Sequence, residues 1–149
     1  SGERRIPDKD LFLSVFTTAL EPDELLKEIS FPLLGPDHVT GIAEFARRSG
    51  DFAIVAVTTD ITVKDQIITN ARVSIGGVSE VPWRSSEAEQ ALVGIDLSDQ
   101  KKSEKGIKAA ADVAASSVSP GSDAHGSSEY RKDLVRALLP KAVLQGSTK

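Results

Sequence analysis

Two runs of alternating side chains, on either side of Lys64-Asp65-Gln66, constrain the fold of this chain more than any other feature. In the first, Val55, Val57, Ile61 and Val63 share one face, while Thr58, Asp60 and Thr62 take the other. In the second, Ile67, Thr69, Ala71, Val73 and Ile75 alternate with Ile68, Asn70, Arg72 and Ser74. A period of two marks a half-buried strand, and the segment between the runs is short enough for a hairpin loop. Gly50-Asp51 turns the chain into the first strand, and Gly76-Gly77 ends the second. An antiparallel hairpin with one apolar face needs something to cover that face.

Cover is available downstream. After Pro82 the apolar period becomes helical. Ser86 and Glu89 have the spacing of a capping box, Ala88, Ala91 and Leu92 form a stripe, and Gly94 fits a C-cap. Ile107, Ala110, Ala111, Ala114 and Val118 predict a second, alanine-rich helix. Ser119–Gly126 is a polar loop, and Ser127 can cap a last helix carrying Tyr130, Leu134, Ala137 and Leu138. Pro140 is expected to kink or end that helix, because it lacks the backbone donor and crowds the preceding turn.

Upstream signals are weaker. Residues 1–24 read as an extended arm with one short helical turn, since Leu11, Phe12, Val15 and Phe16 follow Pro7-Asp8 at helical spacing. Beyond Pro22-Asp23, Ile29 and Phe31 alternate with Glu28 and Ser30, which predicts a strand over Leu25–Phe31. Gly35-Pro36-Asp37 closes it, and a further strand is expected over residues 39–47 with Ala43 and Phe45 on one face. Strands first and helices last predict an α+β fold. It would hold an antiparallel β-sheet of about three or four strands, followed by about three helices packed on one face. The 149 residues suit one domain, expected over 1–145, with residues 146–149 a disordered tail.

Composition narrows the chemistry. The chain has no cysteine, so its own residues supply no disulfide, thiolate-bound zinc or iron–sulfur ligand. That is compatible with a cytoplasmic location. A net charge of −4 argues against a nucleic-acid partner. No apolar run reaches the length a bilayer needs, and no signal segment is expected.

Catalytic patterns are scarce. The histidines, His38 and His125, lie in polar loops far apart, so no metal site is predicted. No G-x-S-x-G elbow is present, and Ser127 and Ser128 beside His125 read as capping residues. Gly76-Gly77 lacks the spacing and the following helix of a dinucleotide loop. Arg47-Arg48 followed by Asp51 can hold a phosphate or a partner's carboxylate; a solvated strand end accounts for them equally well. Trp83, at the junction of strands and helices, reads as a packing residue. These residues alone define no active site.

Five blocks in order carry a resemblance. They are Arg4-Arg-Ile-Pro7 with Asp10-Leu-Phe-Leu13, then Thr18-Ala-Leu-Glu-Pro-Asp-Glu-Leu-Leu-Lys-Glu-Ile29. Phe45-Ala-Arg-Arg-Ser-Gly-Asp-Phe-Ala-Ile-Val55 and Ala71-Arg-Val-Ser-Ile-Gly-Gly-Val78 with Pro82 follow, and Ser122-Asp with Gly126-Ser-Ser-Glu-Tyr-Arg131 closes the set. Over about Ile6 to Val143 the chain resembles the C-terminal domain of the FAD-binding medium subunit of molybdenum hydroxylases, of the carbon monoxide dehydrogenase and xanthine dehydrogenase type.

The resemblance implies a scaffold domain in a subunit that passes electrons from a molybdenum subunit, through an iron–sulfur subunit, to FAD and an external acceptor. Its implied partners are the N-terminal FAD-binding domain and those two subunits. FAD belongs to the complete subunit, and the glycine-rich loops that grip it lie in that larger N-terminal domain, which has no counterpart here. This chain alone is expected to bind no cofactor and to be inactive. Glu44 stands where relatives often place a lysine near the flavin, so Glu44, Arg48 and Asp51 are the FAD-edge candidates. In the family the molybdenum subunit chooses the substrate, so no substrate is implied. The other possibility is a stand-alone interaction or small-ligand module that shares the fold without redox activity.

Overall fold

The computed structural model describes residues 2–147, which divide into two units, Ser1–Leu34 and Gly35–Lys149. The single domain expected over 1–145 spans both units, and the first has no buried residue among 2–34. In it a short helix α1 (Asp8–Leu11) runs into β1 (Phe12–Ser14), which pairs antiparallel with β2 (Thr17–Thr18). The helical spacing of Leu11, Phe12, Val15 and Phe16 is thus cut short at Leu11. Phe16 sits at the hairpin tip with φ +54°, a left-handed backbone that no helix continues through. The strand expected over Leu25–Phe31 does not form, since no neighbouring strand supplies its hydrogen bonds.

The second unit carries the sheet: β3 (His38–Phe45), β4 (Val55–Lys64), β5 (Ile67–Gly76) and β6 (Trp83–Arg84), antiparallel in that order. Helices α2 (Ser86–Leu92), α3 (Gln100–Ser117) and α4 (Ser128–Ser147) follow. Helix α4 packs on β3 and β4, α2 on β5, and α3 against both helices.

The β4–β5 connection is a two-residue turn. Asp65 and Gln66 have φ of +49° and +64°, the backbone that matches a right-twisted hairpin. Val55, Val57, Ile61, Ala71, Val73 and Ile75 enter the core as the alternation predicts. Ile67 and Thr69 do not, because the register slips between Thr62 and Val63. One extra residue on β5 reverses the parity of everything before it, so Ile68 is buried and Ile67 exposed.

Helix α3 presents Ile107, Ala110, Ala111, Ala114 and Ala115 to the core, and its small side chains let it lie close to its neighbours. Helix α4 continues through Pro140 to Ser147. Its buried face is Arg131, Leu134, Val135, Leu138, Leu139 and Ala142, rotated from the expected Tyr130–Leu134–Ala137 face. Of the expected disordered tail, Gly146 and Ser147 close the backbone of α4, whereas Thr148 and Lys149 lie outside the described residues.

The expected capping box at Ser86 and Glu89 is absent. The N-cap is Ser85, and its carbonyl accepts from the Glu89 amide at 3.0 Å. That leaves the Val73 amide without its strand acceptor, and the Glu89 carboxylate takes it at 3.0 Å.

Candidate functional site

One end of the sheet gathers the β3–β4 connection, the exit of β5, the 119–126 loop and the first turns of α4. Arg131 joins them. Its Nη1 donates to the carbonyls of Ile54 at 2.7 Å and Gly77 at 2.8 Å, and its Nη2 to the Asp123 carboxylate at 2.7 Å. Arg131 is buried, so these bonds replace the water a guanidinium would otherwise hold. Asp123 is held in turn by the amides of His125 at 2.8 Å and Gly126 at 3.0 Å. Those amide bonds, foremost that of His125, together with Arg131, keep its carboxyl below the ordinary range.

The loop is braced twice more. Ser127 Oγ accepts the Tyr130 amide at 3.2 Å, the expected helix cap, and Arg47 Nη2 donates to the His125 carbonyl at 2.9 Å. Phe45 meets Tyr130 edge to face, centroids 6.3 Å apart, an arrangement aromatic quadrupoles favour.

The sequence candidates lie beside this hub. Glu44 pairs with Ala56 across β3 and β4, so it points from the sheet face away from the helices and is exposed. Arg48 and Asp51 are exposed too; they share the turn before β4, where the Asp51 amide donates to the Arg48 carbonyl at 3.2 Å. Gly50 in that turn has φ +81°. The Asp51 carboxylate accepts the Phe52 amide at 3.1 Å. Arg48 and Asp51 are thus brought together, and Glu44 stands on the strand leading to them. Sequence reasoning placed Arg47 next to Arg48 but missed its tie to a loop 78 residues away, for which the sequence holds no signal.

A dinucleotide needs open backbone to approach its phosphates, yet a Cβ on Gly77 would overlap the Ile54 carbonyl. Gly77 therefore serves close packing, while a Cβ on Gly76 would meet only ordinary contacts. Among the described residues no group of three or more His, Cys, Asp or Glu could hold a metal ion. No helix among them is long and apolar enough to cross a membrane. The residues at this end brace loops and present an exposed turn.

Comparison with known proteins gives this geometry a setting. Residues 42–145 match the family model for the CO dehydrogenase flavoprotein C-terminal domain. The chain is 33% identical over 148 residues to the nicotine 6-hydroxylase medium subunit of Paenarthrobacter nicotinovorans, covering 99% of this chain and 50% of that protein. It is 34% identical to the glyceraldehyde dehydrogenase medium chain of Sulfolobus acidocaldarius, covering 95% of this chain and 48% of the relative. Its structure is similar to that of quinoline 2-oxidoreductase from Pseudomonas putida 86, with a TM-score of 0.83 and 28% identity, covering 93% of this chain and 46% of that one. The chain spans about half the length of the curated relatives it matches.

Proposed function

This chain belongs to the CO dehydrogenase flavoprotein C-terminal domain family, and on that premise we propose that it is the C-terminal scaffold part of the flavoprotein medium subunit of a molybdenum hydroxylase. The observation that carries this is the match over 99% of the chain to half of a medium subunit. In this role the domain packs on an FAD-binding domain and stands beside molybdenum and iron–sulfur subunits in the cytoplasm. FAD, when bound by the complete subunit, carries electrons onward to an external acceptor. This chain's part is structural. Arg131, Asp123 and Arg47 hold the end of the sheet rigid, and the exposed Glu44, Arg48 and Asp51 form the edge turned toward the flavin domain.

The packing of Gly77 and the exposed acidic Glu44 both support a domain that grips no FAD by itself. The test is a titration of the isolated chain with FAD, followed by flavin fluorescence. No stoichiometric binding is expected; stoichiometric, sub-micromolar binding would overturn the scaffold role.

A further inference from the structure

Helix α3 carries its charge against its own dipole. Lys101, Lys102, Lys105 and Lys108 crowd its first half and are all exposed, and its first turn holds no acidic residue. The N-terminal end of a helix is the positive end of its dipole, so cations there lower its stability. Lys102 is relieved by the N-cap, with its Nζ 3.0 Å from the Asp99 carboxylate. Lys101, Lys105 and Lys108 form no ion pair among the described residues. At i, i+4 and i+7 they share one face, on the side away from Ile107, Ala110 and Ala114, which are buried. Like charges at that spacing repel. Glu104, placed to pair with Lys108, instead accepts Gln100 Nε2 at 2.9 Å. A net charge of −4 means that the stripe does not reflect a general excess of cations. A local choice that opposes its own helix marks a functional position.

We propose that Lys101, Lys105 and Lys108 form a docking surface for a second protein with a carboxylate-rich face, which binds there transiently. Ammonium groups in a row along one helix face complement a row of carboxylates. No bulky apolar side chain stands among them. Their neighbours on that face are the exposed Ala109, Asp112 and Ser116, and Asp112 is engaged by Arg136 at 3.5 Å. A permanent interface needs an apolar core and is poor in lysine. A helix that lies on a membrane needs large apolar side chains beside its cations. A second copy fits badly, since two-fold antiparallel packing of the stripe sets Lys105 of one copy against Lys108 of the other. Charge without burial steers encounter and leaves the complex short-lived. This surface goes beyond the scaffold assignment above and does not depend on it.

The test titrates the full chain with poly-L-glutamate as the acidic probe and follows backbone amide shifts by NMR. Saturable binding is expected, with residues 100–109 shifting first and affinity falling about tenfold as salt rises from about 50 to about 200 mM. Lys101→Ala, Lys105→Ala and Lys108→Ala together should lower affinity at least about tenfold. Arg5→Ala, Lys9→Ala and Lys141→Ala remove as much exposed charge elsewhere and should change it less than about threefold. Equal losses in the two triple variants would reduce the effect to net charge and overturn the proposal. The stripe variant should melt no lower than the parent, because it relieves repulsion within α3. A lower melting temperature would give the lysines a structural role and also overturn the docking surface. Phosphatidylglycerol vesicles that bind more tightly than poly-L-glutamate, through the same lysines, would assign the surface to a membrane instead. A parent chain that dimerises at low salt, and is monomeric without the stripe, would assign it to a second copy with the same consequence.

Discussion

Gly41 of β3 lies so close to Ala142 of α4 that a Cβ on the glycine would overlap the helix carbonyl. Backbone meets backbone there, so no rotamer change can make room. Gly41→Ala must push α4 off the sheet or distort β3, and overpacking of this kind costs about 3 kcal/mol or more. Gly121 has nothing within 4 Å of the same position, so Gly121→Ala should change stability by less than about 1 kcal/mol. Urea melts of the two variants against the parent give the comparison. Equal, small effects would mean that α4 does not cross β3 at Gly41.

Glu89 ties stability to pH. Burial pushes its carboxyl up, but the bonds from Arg84 and the Val73 amide outweigh this, with help from the charges of Arg84 and Arg72, and the net shift is below 4.5. A carboxyl depressed in the folded state binds protons more readily when the chain unfolds. Its contribution is therefore full above 4.5 and lost as pH falls through the folded value. Glu89→Gln should cost about 1.5–3 kcal/mol near neutrality and flatten the fall in stability below pH 4.5. Other depressed carboxyls, such as Asp123 and Asp99, contribute to both proteins, so the difference between the two curves isolates Glu89. Parallel curves would show that the carboxylate does not hold Val73 and Arg84.

Arg131 invites a similar dissection. Arg131→Met keeps the buried stem and removes every donor, leaving the Ile54 and Gly77 carbonyls without this partner. At about 1–3 kcal/mol for each buried group left unsatisfied, the loss should reach about 3 kcal/mol. Asp123 is half exposed, so Asp123→Asn, which still offers an acceptor, should cost about 1 kcal/mol or less. Chemical denaturation of both variants measures the gap. A harmless Arg131→Met would place the helix–sheet anchoring elsewhere.

The same arginine shows why sequence reading located α4 but turned it by a residue. Tyr130, Leu134 and Ala137 make an acceptable apolar stripe, as do Leu134, Val135, Leu138 and Leu139. An arginine on the second stripe argues against burying it unless its acceptors are known, and those come from Ile54 and Gly77, distant in sequence. Helices α2 and α3 were legible because only one face of each is small or apolar. The FAD-edge candidates Glu44, Arg48 and Asp51 could be placed at a strand end, since Gly50-Asp51 signals a turn. The hub of Arg131, Asp123 and Arg47 could not, because its bonds run to backbone carbonyls and amides, which any residue supplies. In the first unit the alternation of Ile29 and Phe31 misled, because a strand needs a partner as well as a pattern.

The slip in β5 is the sharpest case. Ile67 and Ile68 are the same residue type, so alternation cannot tell which of them belongs to the core. The tight turn at Asp65-Gln66 and the slip after Thr62 decide it. Thr69 Oγ1 donates to the Thr62 carbonyl at 3.2 Å beside the irregularity, and the Ile68 amide and carbonyl bond Ile95 and Gly94. Ile68 is 0% exposed and Ile67 41%. Ile68→Ala should therefore leave a cavity and cost about 2–5 kcal/mol, whereas Ile67→Ala should cost about 1 kcal/mol or less. Both substitutions lose the same β-branched side chain from the same strand, so differences in strand propensity cancel. Paired urea melts read the order directly. A larger loss for Ile67→Ala would mean that β5 pairs with β4 without the slip, with Thr69 and Ile67 turned into the core.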